Sequence, residues 1–193
     1  NQDNVIAISP SYGMYGVLAN LNAIEYRKSL LNEENFQPNI EDIFSKVDDN
    51  TKMIFLCSPN NPTGEIIKRD SILGIVNRFN GLVIIDEAYI DFAMEPSWIN
   101  EIKNYPNVIV TQTLSKAVGL AGIRLGILYA SQEIIDVLNK IKPPYNINQL
   151  TQLKAIEILG NYDKVVDETN TIIEQKDFLE QALAEISFVE KIY

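Results

Sequence analysis

The stretch Leu82-Val83-Ile84-Ile85-Asp86-Glu87-Ala88-Tyr89 decides the fold. Its four consecutive apolar residues leave no polar face, so a strand here must be covered on both sides. Strands of that kind belong to mostly parallel sheets with helices above and below. Working outward, further short apolar or β-branched runs read as strands at Val5–Ser9, Ala23–Tyr26, Lys52–Cys57, Asn107–Gln112 and Gly126–Tyr129. Helical patterns lie between and after them, at Tyr12–Asn20, Ile40–Lys46, Lys68–Arg78, Glu133–Ile141, Asn148–Leu159 and Asp163–Ile186. The last of these has Val166, Ile172, Ile173, Leu179, Ala182 and Leu183 on or near one face. The expected fold is α/β, with three layers (α/β/α) around a mixed, mostly parallel sheet.

Composition excludes several functions. The chain has 193 residues, 46% of them hydrophobic, which is enough for one substantial core. Lys and Arg number 16 against 26 Asp and Glu, a net charge of -10 with no basic stretch, so nucleic acid is not an expected partner. The chain has no histidine, which removes every Ser-His-Asp or Cys-His nucleophile system and leaves only carboxylates for a metal. The single cysteine, Cys57, rules out an intrachain disulfide framework and suits a reducing compartment, so a cytoplasmic location is expected. No apolar run approaches the ~20 residues of a membrane span.

Ligands of open α/β sheets gather outside the carboxyl ends of the strands. Four strand ends carry unusual residues: Ser9-Pro10-Ser11-Tyr12-Gly13, Cys57-Ser58-Pro59-Asn60-Asn61-Pro62-Thr63-Gly64, Asp86-Glu87-Ala88-Tyr89 and Thr111-Gln112-Thr113-Leu114-Ser115-Lys116. Each has an ordinary structural reading. Asn61-Pro62-Thr63-Gly64 is a good turn, Asp86 a possible cap, Lys116 a surface lysine, and Tyr12 and Tyr89 packing aromatics. Packing needs alone do not account for all four at successive strand ends.

With Asn61-Pro62-Thr63-Gly64, Asp86-Glu87-Ala88-Tyr89 and Ser115-Lys116 followed by Arg124, the chain resembles the fold-type I aminotransferases that use pyridoxal 5'-phosphate. Pro10-Ser11-Tyr12-Gly13-Met14-Tyr15, Cys57–Gly64 and Pro144-Tyr145-Asn146-Ile147-Asn148 are similar, more narrowly, to the histidinol-phosphate aminotransferase family. The resemblance implies that Lys116 is the amine that carries the cofactor and moves the substrate proton, and that Asp86 holds the proton of the ring nitrogen. It implies further that Asn61 and Tyr89 donate to the ring oxygen, that Tyr12 stacks on the ring, and that Thr113, Ser115 and Arg124 hold the phosphate. The reaction implied is amino transfer in histidine biosynthesis, with glutamate, 2-oxoglutarate and histidinol phosphate as substrates and a homodimer as the working unit.

The same resemblance implies two units, a cofactor-binding large domain at 1–160 and a connecting helix with the start of a small domain at 161–193. Phe188–Tyr193 reads as a strand with nothing after it. The family's N-terminal arm, first strand and substrate-gripping arginine have no counterpart here, so the isolated chain is expected to be inactive. Gln112 and Val118 depart from residues common in relatives. Another aminotransferase of the superfamily, a threonine-phosphate decarboxylase type and a non-catalytic isolated domain stay open as alternatives. A nucleotide-binding domain does not, since neither glycine-rich phosphate loop is present.

Overall fold

Alternation between strand and helix persists through the computed structural model, which describes residues 2–192. The strands are β1 (Asn4–Ser9), β2 (Glu25–Leu30), β3 (Thr51–Cys57), β4 (Leu82–Asp86), β5 (Val108–Thr113) and β6 (Gly126–Tyr129). They form one sheet in the order β2-β1-β3-β4-β5-β6. Neighbouring pairs run parallel except β5 and β6, which are antiparallel. The helices are α1 (Met14–Leu21), α2 (Ile40–Ser45), α3 (Arg69–Arg78), α4 (Gln132–Ile141), α5 (Gln149–Leu159) and α6 (Tyr162–Ala184).

The period-two alternation of each strand sorts its side chains between two unequal cores. Ile6, Ile8, Ile54, Leu56, Val83, Ile85, Val108 and Val110 point to one face, where Ile43 of α2, Ile72, Ile75 and Val76 of α3 and Trp98 close over them. The other face carries a smaller cluster of Ala7, Cys57 and Tyr15 of α1, flanked by Tyr26 and Phe55. Helix α3 ends at Arg78, and the chain turns back through Gly81. A Cβ at Gly81 would lie 2.7 Å from the Lys52 carbonyl oxygen, so only glycine lets β4 start beside β3.

Four expectations need correction. The second strand is not Ala23–Tyr26 but Glu25–Leu30, a polar edge strand whose sequence gives no apolar run. Ala23 instead takes a left-handed φ of 53° in the turn before it. Helix α1 starts at Met14 rather than Tyr12, leaving Tyr12 in the loop at the end of β1. Helix α6 turns Val165 and Thr169 inward while Val166, Ile172 and Leu179 stay exposed, a rotation of about one residue. Ser187 to Ile192 form no strand, because no neighbouring strand among the described residues offers the segment a ladder. Asn1 and Tyr193, the outer ends of the two expected units, lie outside the described residues.

Candidate active site

Strand alternation puts Asp86 on the α1 face of the sheet. It pairs in register with Cys57 of β3, and Phe55 and Ala7 share that face. The Ala88 N–H donates to Asp86 Oδ1 at 3.1 Å, an Asx-type turn that fixes the chain as it leaves β4. The hydroxyl of Tyr15 donates to Oδ2 at 2.6 Å. The Tyr15 ring is buried, stacked on Phe55 with centroids 5.0 Å apart and met edge-on by Tyr12 at 5.6 Å. Burial, with Cys57 and Asp86 beside it, pushes the Tyr15 phenol far above its ordinary range, so it remains a donor. Burial and then the Asp86 charge push the Cys57 thiol up to about 11.

The loop after β3 is locked by Asn60 rather than by Asn61. Asn60 is buried, accepts from the Ser11 hydroxyl at 2.8 Å, and donates to the Pro10 carbonyl and Thr63 Oγ1 at 3.0 Å each. These bonds join the ends of β1 and β3. Gly64, at a φ of +75°, closes the turn with its N–H on the Asn60 carbonyl. Asn61 is thereby displayed at the rim.

The chain between β5 and β6 leaves and returns at one sheet edge. Thr113 Oγ1 accepts from the Ser115 N–H at 3.1 Å, and the Leu114 N–H donates to the Leu125 carbonyl at 3.2 Å. Lys116 Nζ stands 5.1 Å from the Tyr89 ring centroid and, among the described residues, joins no ion pair. Arg124 takes a left-handed φ of 55°, and its guanidinium donates to the Ala121 carbonyl at 3.0 Å. A cavity of about 270 Å³ is lined by Tyr12, Asn61, Asp86, Tyr89, Thr113, Ser115, Lys116 and Arg124, joined by Cys57 and Ala88. All eight residues marked by the sequence therefore face one space.

That donor set comprises a free amine, a carboxylate, a guanidinium, two alcohol hydroxyls, an amide and two phenols. It suits a flat, phosphorylated aromatic aldehyde: rings to stack, cations and hydroxyls for phosphate, and an amine for the carbonyl. Among the described residues no cluster of His, Cys, Asp or Glu is placed to hold a metal, and no helix is long and apolar enough to cross a membrane.

Sequence reasoning missed three neighbours of the site. Tyr15 and Asn60 stand inside quoted motifs, but their partners are too distant in the chain to read. Glu87 is the third. It points to the opposite face, is 1% exposed, and accepts from the Trp98 N–H at 2.7 Å, the Ser97 hydroxyl at 2.6 Å and Gln112 Nε2 at 2.9 Å. Gln112, marked in the sequence as a departure, thus has Glu87 as a partner.

Comparison with known proteins gives the family and the fold. Residues 1–192 match the family model for aminotransferase class I and II. A histidinol-phosphate aminotransferase of Flavobacterium johnsoniae is 58% identical over 193 residues, covering all of this chain and 55% of that protein. The chain spans about half the length of the curated relatives it matches. Among solved structures, the histidinol-phosphate aminotransferase from Clostridium acetobutylicum superposes with a TM-score of 0.87 at 29% identity, over all of this chain and 59% of that one. The enzyme from Sinorhizobium meliloti, solved in complex with pyridoxal-5'-phosphate, shares the fold at a TM-score of 0.83 and 21% identity, over 96% of this chain and 52% of that one. The chain belongs to the class I and II aminotransferases.

Proposed function

We propose that this chain holds pyridoxal 5'-phosphate and takes part in amino transfer between histidinol phosphate and 2-oxoglutarate, giving imidazole acetol phosphate and glutamate in histidine biosynthesis. The observation that carries this reading is the convergence on one cavity of seven residues from four strand ends and of Arg124 from the turn before β6, with the Lys116 amine among them. The bound cofactor supplies a carbonyl that captures an amino group and a ring that accepts the electron pair left when the Cα proton departs. Lys116 Nζ would bind that carbonyl covalently and afterwards carry the Cα proton as base and acid. Asp86, at the end of a buried strand, would keep the ring nitrogen protonated through a charge-assisted hydrogen bond. Tyr12 would cover the ring. Asn61 and the Tyr89 hydroxyl would donate to its oxygen, and Thr113, Ser115 and Arg124 would hold the phosphate.

The substrate assignment is supported by the 51–58% identity to histidinol-phosphate aminotransferases from Flavobacterium and Bacteroides species. The division into a cofactor-binding unit at 1–160 and a connecting unit at 161–193 is part of the same proposal, supported by α6 contributing none of the described residues of the main apolar cluster against the sheet. A homodimer is supported by apolar side chains left open on α5, Leu150 at 79% and Ile156 at 68% exposed. A free, buried Cys57 agrees with a reducing, cytoplasmic setting. The test is borohydride reduction of the cofactor-loaded chain followed by peptide mapping, together with turnover of histidinol phosphate by the full-length holoenzyme, since the chain alone is expected to be inactive. A label on Lys116 with parallel-line, two-stage kinetics is the expected result. A label confined to other lysines, or no turnover with that donor, overturns the assignment.

A further inference from the structure

Asp86 is held by a group that its own motif does not contain. Tyr15 stands 71 residues earlier, on α1, and its hydroxyl is 2.6 Å from Oδ2. With the Ala88 N–H on Oδ1, each carboxylate oxygen has one fixed donor, so the plane of the group is set from two sides. Ala7, Phe55 and Cys57 share that face of the sheet with Asp86, and none of them is a strong donor. Tyr12 leans edge-on against Tyr15, so the ring expected over the cofactor and the ring that orients Asp86 are one packed unit.

We propose that Tyr15 is a positioning residue: its phenol orients Asp86 and stabilises the ionised carboxylate, so that the proton shared with the cofactor's ring nitrogen stays on the nitrogen. This rests on the assignment of Asp86 to that nitrogen made above. The reason lies in a competition. Ring nitrogen and carboxylate are two bases for one proton, and a hydrogen bond to the anion favours the charged pair. Remove the phenol oxygen and Oδ2 loses its one side-chain donor, so the hydrogen bond that favours the charged pair is gone. The proton then moves to Asp86, and the ring loses the positive charge that makes it an electron acceptor.

Tyr15→Phe tests this, because it keeps the ring, its burial and its stacking on Phe55 and deletes one oxygen. The holoenzyme is loaded with cofactor isotopically labelled at the ring nitrogen, and the nitrogen resonance is read near neutral pH. The parent is expected at the protonated position and Tyr15→Phe displaced toward neutral pyridine. The kcat should fall about tenfold with KM for the amino donor nearly unchanged. A purely structural tether would leave the nitrogen signal where it was, and that result overturns the proposal. A Lys116 label in both proteins then leaves the cofactor reading standing, whereas absence of that label in the parent overturns both. A fluorinated tyrosine at position 15 serves as second variant, since it keeps the oxygen and strengthens the donor. It should hold the nitrogen fully protonated, and a shift toward neutral pyridine there overturns the proposal as well.

Discussion

Asp86 and Glu87 are adjacent carboxylates, and the sheet sends them to opposite faces with opposite fates. On the α2–α3 face Glu87 is buried at 1% exposure, with three internal donors and the large apolar core beside it. On the α1 face Asp86 has two donors and an open side toward a cavity of about 270 Å³. A buried carboxylate whose bonding capacity is met from within holds structure, whereas one left with capacity toward a cavity is available for a ligand. The two faces of one strand end thus divide stability from chemistry.

Breaking the open face should give the largest effects. Lys116→Ala removes the only lysine among the described residues that line the cavity, and the reductive cofactor label should vanish together with transamination. Asp86→Asn keeps that label but takes the negative charge from the ring nitrogen. Turnover should drop by roughly 10²-fold, comparable to loss of one preorganised electrostatic contact, and single-turnover kinetics will show it. If Asp86→Asn were kinetically silent, the comparison between the two carboxylates would collapse.

The sealed face responds in stability instead. Glu87→Ala strands the buried Trp98 N–H and takes a partner from the Ser97 hydroxyl and the Gln112 amide, and should cost about 3 kcal/mol by denaturant titration. Activity per folded molecule should change little by comparison. A milder effect belongs to the amino ends of β1 and β3. There Asn4 donates to Asp48 at 2.8 Å and Arg27 pairs with it at 2.8 Å, which together hold the Asp48 carboxyl down at about 2. A depressed folded value means that this stabilisation is complete above the ordinary carboxylate range near 4. It is lost as pH falls toward about 2. Asp48→Asn should flatten that part of the acid-unfolding profile. Smallest of all, Leu153→Ser on the exposed side of α5 should shift the stability of this chain by no more than about 0.5 kcal/mol.

Much of this arrangement was legible in the sequence, for identifiable reasons. Strands β1, β3 and β4 announce themselves by unbroken apolar runs, and the residues at their carboxyl ends follow from the parallel order. Edge strand β2 does not, because Glu25, Arg27 and Lys28 are tolerated only at a sheet margin, where Arg27 spans Glu25 and Asp48. Local pattern also cannot fix the rotation of α6, where one residue decides between Val165 and Val166. Seven of the eight cavity residues were readable because they sit at strand ends, and Arg124 was readable only from the resemblance. Their supports were not, since Tyr15 to Asp86 and Asn60 to Ser11 are meetings of distant segments made by the fold.

Cys57 carries one more consequence. Its thiol is the chain's single sulfhydryl, lies directly beside Asp86 in the ladder, and is pushed up to about 11. Cys57 is 1% exposed on the cavity lining, so alkylating reagents reach its sulfur through local opening around that lining. The labelling rate of that one sulfur is therefore a stopwatch for how often the floor of the cavity opens.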